Sequence, residues 1–148
     1  MSATAEETRL STANLGFRLA KASQRWNELL ISRFAARGYP DVRPSYGSVL
    51  MPLFEHDGLR LGDIAARARL SKQSMTALVR QCEDDGFVRR RRDPADGRAF
   101  RVELTPHGRE FGAVVDEILG ERDALVLSAL GRRQHDALGR ALNGVMEL

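Results

Sequence analysis

Residues 61–104 read LGDIAARARLSKQSMTALVRQCEDDGFVRRRRDPADGRAFRVEL, and this stretch decides the fold. Leu61–Ala68 has the length of a short helix, with Asp63 in the first turn where the helix dipole favours an acid. A turn of three or four residues follows. Ser71 then stands where a second helix needs an N-cap, and Gly86 where that helix needs a residue of positive φ to stop. Val88–Arg92 and Ala99–Leu104 are β-like runs joined by Asp, Pro, Gly and Arg. Two short helices and a β-ribbon in this order predict a winged helix-turn-helix. A helix of this size fits the major groove of DNA, and the ribbon reaches the neighbouring backbone or minor groove.

The second helix has two faces. Met75, Leu78, Val79 and Cys82 recur at i, i+3, i+4 and i+7 and form an apolar stripe. Lys72, Gln73, Thr76 and Arg80 lie on another side, and each can donate hydrogen bonds. Gln matches adenine in two-point fashion, Arg matches guanine, and Thr can touch a thymine methyl. An ordinary solvated helix face is the alternative. Charge separates the two readings. Residues 60–101 hold eleven Lys or Arg against six Asp or Glu, whereas the rest of the chain is slightly acidic. A local basic excess is the footprint of phosphate neutralisation. Only Lys21 and Lys72 are lysines among the 23 cations, so the run Arg89–Arg92 also reflects a general preference for arginine.

Working outward, residues 5–37 lack proline and carry Leu15, Leu19, Ala22, Trp26 and Leu29 at steps of 4, 3, 4 and 3. This predicts a helix of about 30 residues with a coiled-coil type stripe. Gly38, Pro40 and Pro44 end it, and Ser45 is placed to cap a second helix to about His56, with Pro52 inside. Asp57-Gly58 is a turn. After the ribbon, Thr105 caps a long helix with Pro106 at its first position, running to Leu130. Gly131 breaks it, and a last helix over Arg132–Met146 carries Leu138, Leu142 and Val145 on one face. The expected fold is mainly α with a small β-hairpin wing: a DNA-binding winged lobe over 45–104 and a helical dimerisation region over 5–37 and 106–148, within one domain of residues 1–148.

Other classes find little support. A length of 148 residues suits one domain with a sizeable core. No apolar run approaches the roughly 20 residues of a membrane span. The start, MSATAEETRLSTANLG, is polar, without a secretory pattern, so a cytoplasmic protein is expected. One cysteine excludes a disulfide framework and a multi-Cys zinc site. Cys82 falls on the buried stripe beside Glu83, Asp84 and Asp85, which disfavour a thiolate, so core packing is expected rather than redox sensing. His56, His107 and His135 lack metal-ligand spacing, and His107 at a helix start is expected to be exposed. No Gly-rich phosphate loop or nucleophile motif is present. The expectation is no enzyme, no metal and no cofactor. A winged helix used as a protein-protein interaction module is the alternative function.

These residues resemble the MarR family of bacterial transcription regulators. The resemblance runs from Gly58 through GLRLGDIAARARLSKQSMTALVRQCEDDGFV and RRDPADGRAFRVELTPHG. The wing carries the family's Asp-x-Arg as Asp96-Gly97-Arg98, followed by Leu104-Thr105-Pro106-His107-Gly108. The helical order outside this stretch matches as well. The resemblance implies a homodimer on a palindromic double-stranded operator, with the first helix and the last two paired with a partner's. Carried over by position, Ser71, Lys72, Gln73, Ser74, Thr76 and Arg80 face the major groove, and Arg98, held by Asp96, enters the minor groove. From its residues alone, Asp96-Gly97-Arg98 reads as an ordinary turn with a solvated arginine. Gly97 departs from the second basic residue that many members carry. The family also implies release from DNA by a small aromatic or anionic effector between the lobes, for which Trp26 and Tyr46 are candidates; core packing is their alternative. The N-terminal cysteine of oxidation-sensing members is missing.

Overall fold

Asn14 fixes where the first long helix begins. In the computed structural model, which describes residues 9–148, helix α1 spans Leu15–Ala36. The Asn14 side chain accepts from the N–H groups of Gly16 (2.9 Å) and Phe17 (3.4 Å), and Ser11 Oγ accepts from Ala13. These side chains offer the backbone an alternative to helix, so residues 10–14 form a turn. The helix is therefore 22 residues long, shorter than the periodicity suggested. Residues 5–8 of the expected span lie outside the described residues. The N-terminal part of the expected stripe faces away from the core of the single chain. Leu15 and Ala22 are exposed, and the side that meets the core is Leu30, Ile31 and Phe34, with Phe34 edge-on to Phe111 at 5.0 Å.

Ser45 does not cap the next helix. Pro44–Tyr46 make one 3-10 turn that runs directly into α2, Gly47–Glu55, with no side-chain cap. The fixed φ of Pro44 starts the turn one residue earlier than a serine cap would. Pro52 lies within α2 as expected. At the following turn, Gly58 has φ 74°, and Asp57 Oδ1 accepts from the N–H groups of Gly58 and Leu104.

The winged lobe follows its sequence closely. Helices α3 (Leu61–Ala68) and α4 (Lys72–Asp84) form the helix-turn-helix, and β2 (Val88–Arg92) pairs antiparallel with β3 (Phe100–Leu104). A short strand that the sequence did not signal, β1 (Leu59–Arg60), adds to β3 with Arg60 opposite Arg101, so the sheet has three strands in the order β1-β3-β2. Between α3 and α4, Arg69 adopts the left-handed conformation at φ 55°, ψ 39°. The N–H groups of Arg69 and Leu70 close back onto the Ala66 and Ala65 carbonyls. Thr105 caps α5 (Pro106–Leu130) by accepting from Gly108, and Gly131 at φ 79° separates it from α6 (Arg132–Met146).

The core lies where α2, α3 and α4 meet the sheet and the first half of α5, around Leu50, Ile64, Val79, Phe87, Val102 and Phe111. By contrast, every residue of α6 except His135 is exposed, including Leu138, Leu142 and Val145. No described helix is long and apolar enough to cross a membrane.

Candidate nucleic-acid interface

Helix α4 is fixed by one face and open on the other. Met75, Val79 and Cys82 have no exposed surface and Leu78 has 9%. Lys72, Gln73 and Arg80 are exposed, and no described residue bonds their side chains. Thr76 is half-buried, and its hydroxyl donates to the Lys72 carbonyl at 2.8 Å. Ser71 is the N-cap: its Oγ accepts from the Ser74 N–H at 3.1 Å and donates to Ser74 Oγ at 2.9 Å. Both serines thus order the helix start, while Lys72 and Gln73 project from it.

The wing carries the second cluster. Asp96 organises the tip through its backbone, because Oδ1 accepts from the Arg98 N–H (3.0 Å) and its carbonyl from Ala99. The Arg98 guanidinium itself has no ion-pair partner among the described residues. Asp96 therefore holds the Arg98 main chain and leaves its charge free.

Most of the other wing arginines are engaged from within the lobe. Arg89 and Arg91 both reach Glu103, at 3.1 and 2.9 Å. Arg90 pairs with Glu83 of α4 at 3.1 Å, and Arg92 donates to the Gly97 carbonyl. The Arg90 N–H also bonds Glu83, and this contact, ahead of the guanidinium, holds the Glu83 carboxyl below its ordinary range. Arg60 and Arg101 share Asp93. Arg67 lies 3.8 Å from Glu55. Of the segment's eleven cations, Arg69, Lys72, Arg80 and Arg98 make no side-chain hydrogen bond or ion pair among the described residues, and Arg80 acts on the Glu83 carboxylate only through its field. The run of four arginines thus contributes less free charge than its composition suggested. What remains gathers at the turn, along α4 and at the wing tip.

Cys82 is fully buried, and its thiol is pushed up to about 12 by burial and then by Asp85. His107 is exposed by area, yet its ring stacks on Phe87 at 4.9 Å between centroids. Among the described residues no three His, Cys, Asp or Glu side chains come together as a metal site.

Both expected aromatics line one recess between α1, α2 and α5. This cavity of about 250 Å³ is walled by apolar side chains such as Leu30, Leu50, Phe54 and Phe111, with Trp26 on the α1 side. Tyr46 shows only its ring to the recess, since its hydroxyl donates to the Asp85 carboxylate; burial, then that bond, raises its pKa. Arg43 is the one charged residue of the lining. Sequence reading missed Arg43, Asp93 and the exposed wing aromatic Phe100, whose ring lies under Arg90 and Arg92 at 5.8 and 5.9 Å. The signal available for Asp93 was its place before Pro94 at the base of a hairpin.

Comparisons with known proteins agree with this geometry. The profile described as the MarR family matches residues 44–100. The HTH-type transcriptional regulator TtmR of Methylorubrum extorquens is 37% identical over 46% of this chain, a match that spans 35% of TtmR's own length. An HTH-type transcriptional regulator of Mycobacterium bovis, Mb0904, is 31% identical over 93% of this chain and 94% of its own. Among solved structures, the transcriptional repressor CouR bound to a 23-mer DNA duplex superposes with a TM-score of 0.78, at 26% identity, over 99% of each chain.

Proposed function

Since the chain belongs to the MarR family of DNA-binding transcription regulators, and is no enzyme, we propose that it represses transcription as a homodimer on a pseudo-palindromic operator. The observation that carries this reading is the distribution of free charge and free donors. Among the described residues, Lys72, Gln73 and Arg80 on α4 and Arg98 on the wing make no side-chain hydrogen bond or ion pair, whereas Arg89, Arg90 and Arg91 beside them do. In this reading the first turn of α4 enters the major groove and Arg98 the minor groove, one lobe per half-site. Ser71, Ser74 and Asp96 act by ordering the backbone that presents them. Thr76 offers less than an open hydroxyl would.

The dimer would form through the helical region over 5–37 and 106–148, with 45–104 as the reading lobe. Leu15, Leu125, Leu138, Leu142 and Val145 are exposed in a single chain, and α6 has almost no contact surface of its own buried. Exposed apolar surface of this extent marks an association face. The cavity beside Trp26 and Tyr46 is apolar with a single arginine, which suits a small aromatic or apolar anion. Its walls come from α1, α2 and α5, so an occupant there would bias the angle between the helical region and the winged lobe.

The test uses intergenic DNA flanking the gene, searched for an inverted repeat. Footprinting should protect two half-sites about one helical turn apart, and sedimentation should show two chains per duplex. A monomer at micromolar concentration with and without DNA would overturn the dimeric reading. Failure to retard any duplex would favour a protein-interaction module. Trp26 is the sole tryptophan, so its fluorescence reports the cavity directly. A benzoate series that leaves its emission unchanged would remove the effector assignment.

A further inference from the structure

Asp93 is the one buried charged side chain among the described residues, at 3% exposure. It stands at the base of the wing loop. Oδ1 accepts from the Ala95 N–H at 2.9 Å. Oδ2 faces Arg60 Nε at 2.7 Å and Arg101 Nε at 3.2 Å. Arg101 also donates through Nη1 to the Gly58 carbonyl at 2.8 Å, and the Asp93 N–H closes the loop on the Ala99 carbonyl at 2.9 Å.

The rest of loop 93–99 is ordered from inside the hairpin. Arg98 and Ala99 donate to Asp96, and Arg92 bonds the Gly97 carbonyl. These bonds set the shape of the tip but not the direction in which it leaves the sheet. Among the described residues, the side chains of loop 93–99 make a hydrogen bond or ion pair beyond the hairpin only at Asp93, through Arg60 of β1. Taking a carboxylate and its partners out of water is costly, and apolar residues of similar volume often stabilise a fold as well or better. A buried charge here is better explained by geometry, because only a few arrangements let one carboxylate accept a backbone N–H on Oδ1 and hold two guanidinium groups at ion-pair distance from Oδ2.

We propose that Asp93 is a positioning residue for DNA binding: its clamp on Arg60 and Arg101 fixes the angle of the wing and so holds Arg98 against the nucleic acid. This rests on the reading of Arg98 as a DNA contact. The wing contact is largely independent of sequence, so a 30-base-pair duplex of arbitrary sequence, titrated between about 50 and 200 mM salt, is a sufficient probe.

Arg98→Ala should weaken binding several-fold and lower the salt slope by about one. Asp93→Asn, which keeps size and removes charge, should cause a loss of similar size. The double variant should bind no worse than Arg98→Ala alone, because both act through one contact. Should Asp93→Asn fail to fold, Arg60→Gln opens the same clamp from the β1 side at a half-exposed position, and the same non-multiplying pattern is expected. A null result for Arg98→Ala would overturn the Arg98 reading, and the role of Asp93 with it. A loss for Arg98→Ala with none for the clamp variants, or losses that multiply in the double variant, would overturn the positioning role alone.

Discussion

Replacing Gly108 by alanine should destabilise this protein, although the position is helical. Gly108 is the third residue of α5. A Cβ there would sit 2.1 Å from the Phe87 carbonyl oxygen, 3.1 Å from its carbon and 3.3 Å from Leu104 Cδ2. That oxygen accepts from the Thr105 N–H at 3.0 Å, and the Thr105 hydroxyl donates to the neighbouring Gly86 carbonyl. Neither the oxygen nor the helix start can withdraw without loosening this joint. In an open helical site the substitution would gain about 1 kcal/mol from lower backbone entropy. Overpacking costs about 1–3 kcal/mol where side chains can shift, and more against fixed backbone. The net expectation is a loss of about 2 kcal/mol or more. At about 2.1 cal/mol/K per residue, 148 residues give an unfolding entropy near 0.3 kcal/mol/K, hence a Tm lower by about 6 °C. Gly62→Ala is the control. Its Cβ would meet only the flexible Lys72 Cε at 3.4 Å, so Tm should rise by about 3 °C. Calorimetry at one fixed chain concentration measures both. A Gly108→Ala variant melting at or above wild type would refute the steric argument.

Other outcomes follow from single sites. Arg69→Gly should remove the cost of a left-handed non-glycine residue, about 1–2 kcal/mol, less the extra freedom glycine has when unfolded; the urea midpoint should rise with an unchanged m-value. Cys82→Ser should destabilise by about 1–3 kcal/mol because it buries a hydroxyl. With its thiol at about 12, wild-type Cys82 offers no thiolate to peroxide, so DNA binding should survive the oxidant, and release that the serine variant abolishes would contradict this. Acid should act through Asp93, held low first by the Ala95 N–H, and Glu83, held low first by the Arg90 N–H. Folded-state values below the unfolded ones mean that their contribution is present above about pH 4 and lost as pH falls through the lower folded values. Stability measured from pH 7 downward should drop below about pH 4, and less steeply in Glu83→Gln.

The winged lobe was legible because its punctuation is local. Ser71, Gly86, Thr105-Pro106 and Gly131 each mark a boundary through their own backbone or side chain, and the helices they delimit stand where those residues place them. The burial of Met75, Leu78, Val79 and Cys82 was legible from period alone. Features decided by distant partners were not. Leu59–Arg60 is a strand only because β3, distant in sequence, lies beside it. Asp93 looked like any loop acid until Arg60 and Arg101 converged on it. The run Arg89–Arg92 read as free charge because nothing in the sequence shows Glu83 and Glu103 facing it. At the start of α1, helical periodicity extended past a residue, Asn14, whose capping bonds end the helix there.

The central claim is that the first turn of α4 reads base edges. Gln73 tests it most directly, because its side chain is exposed, unbonded and remote from the apolar stripe. Wild-type protein and Gln73→Ala should be titrated with operator and with scrambled duplex at several salt concentrations. The expected result is a loss of roughly 1–3 kcal/mol on the operator alone, with preference relaxed at one position in each half-site and the salt slope unchanged. Equal weakening on both duplexes, or none on either, would contradict the placement of α4 in the groove.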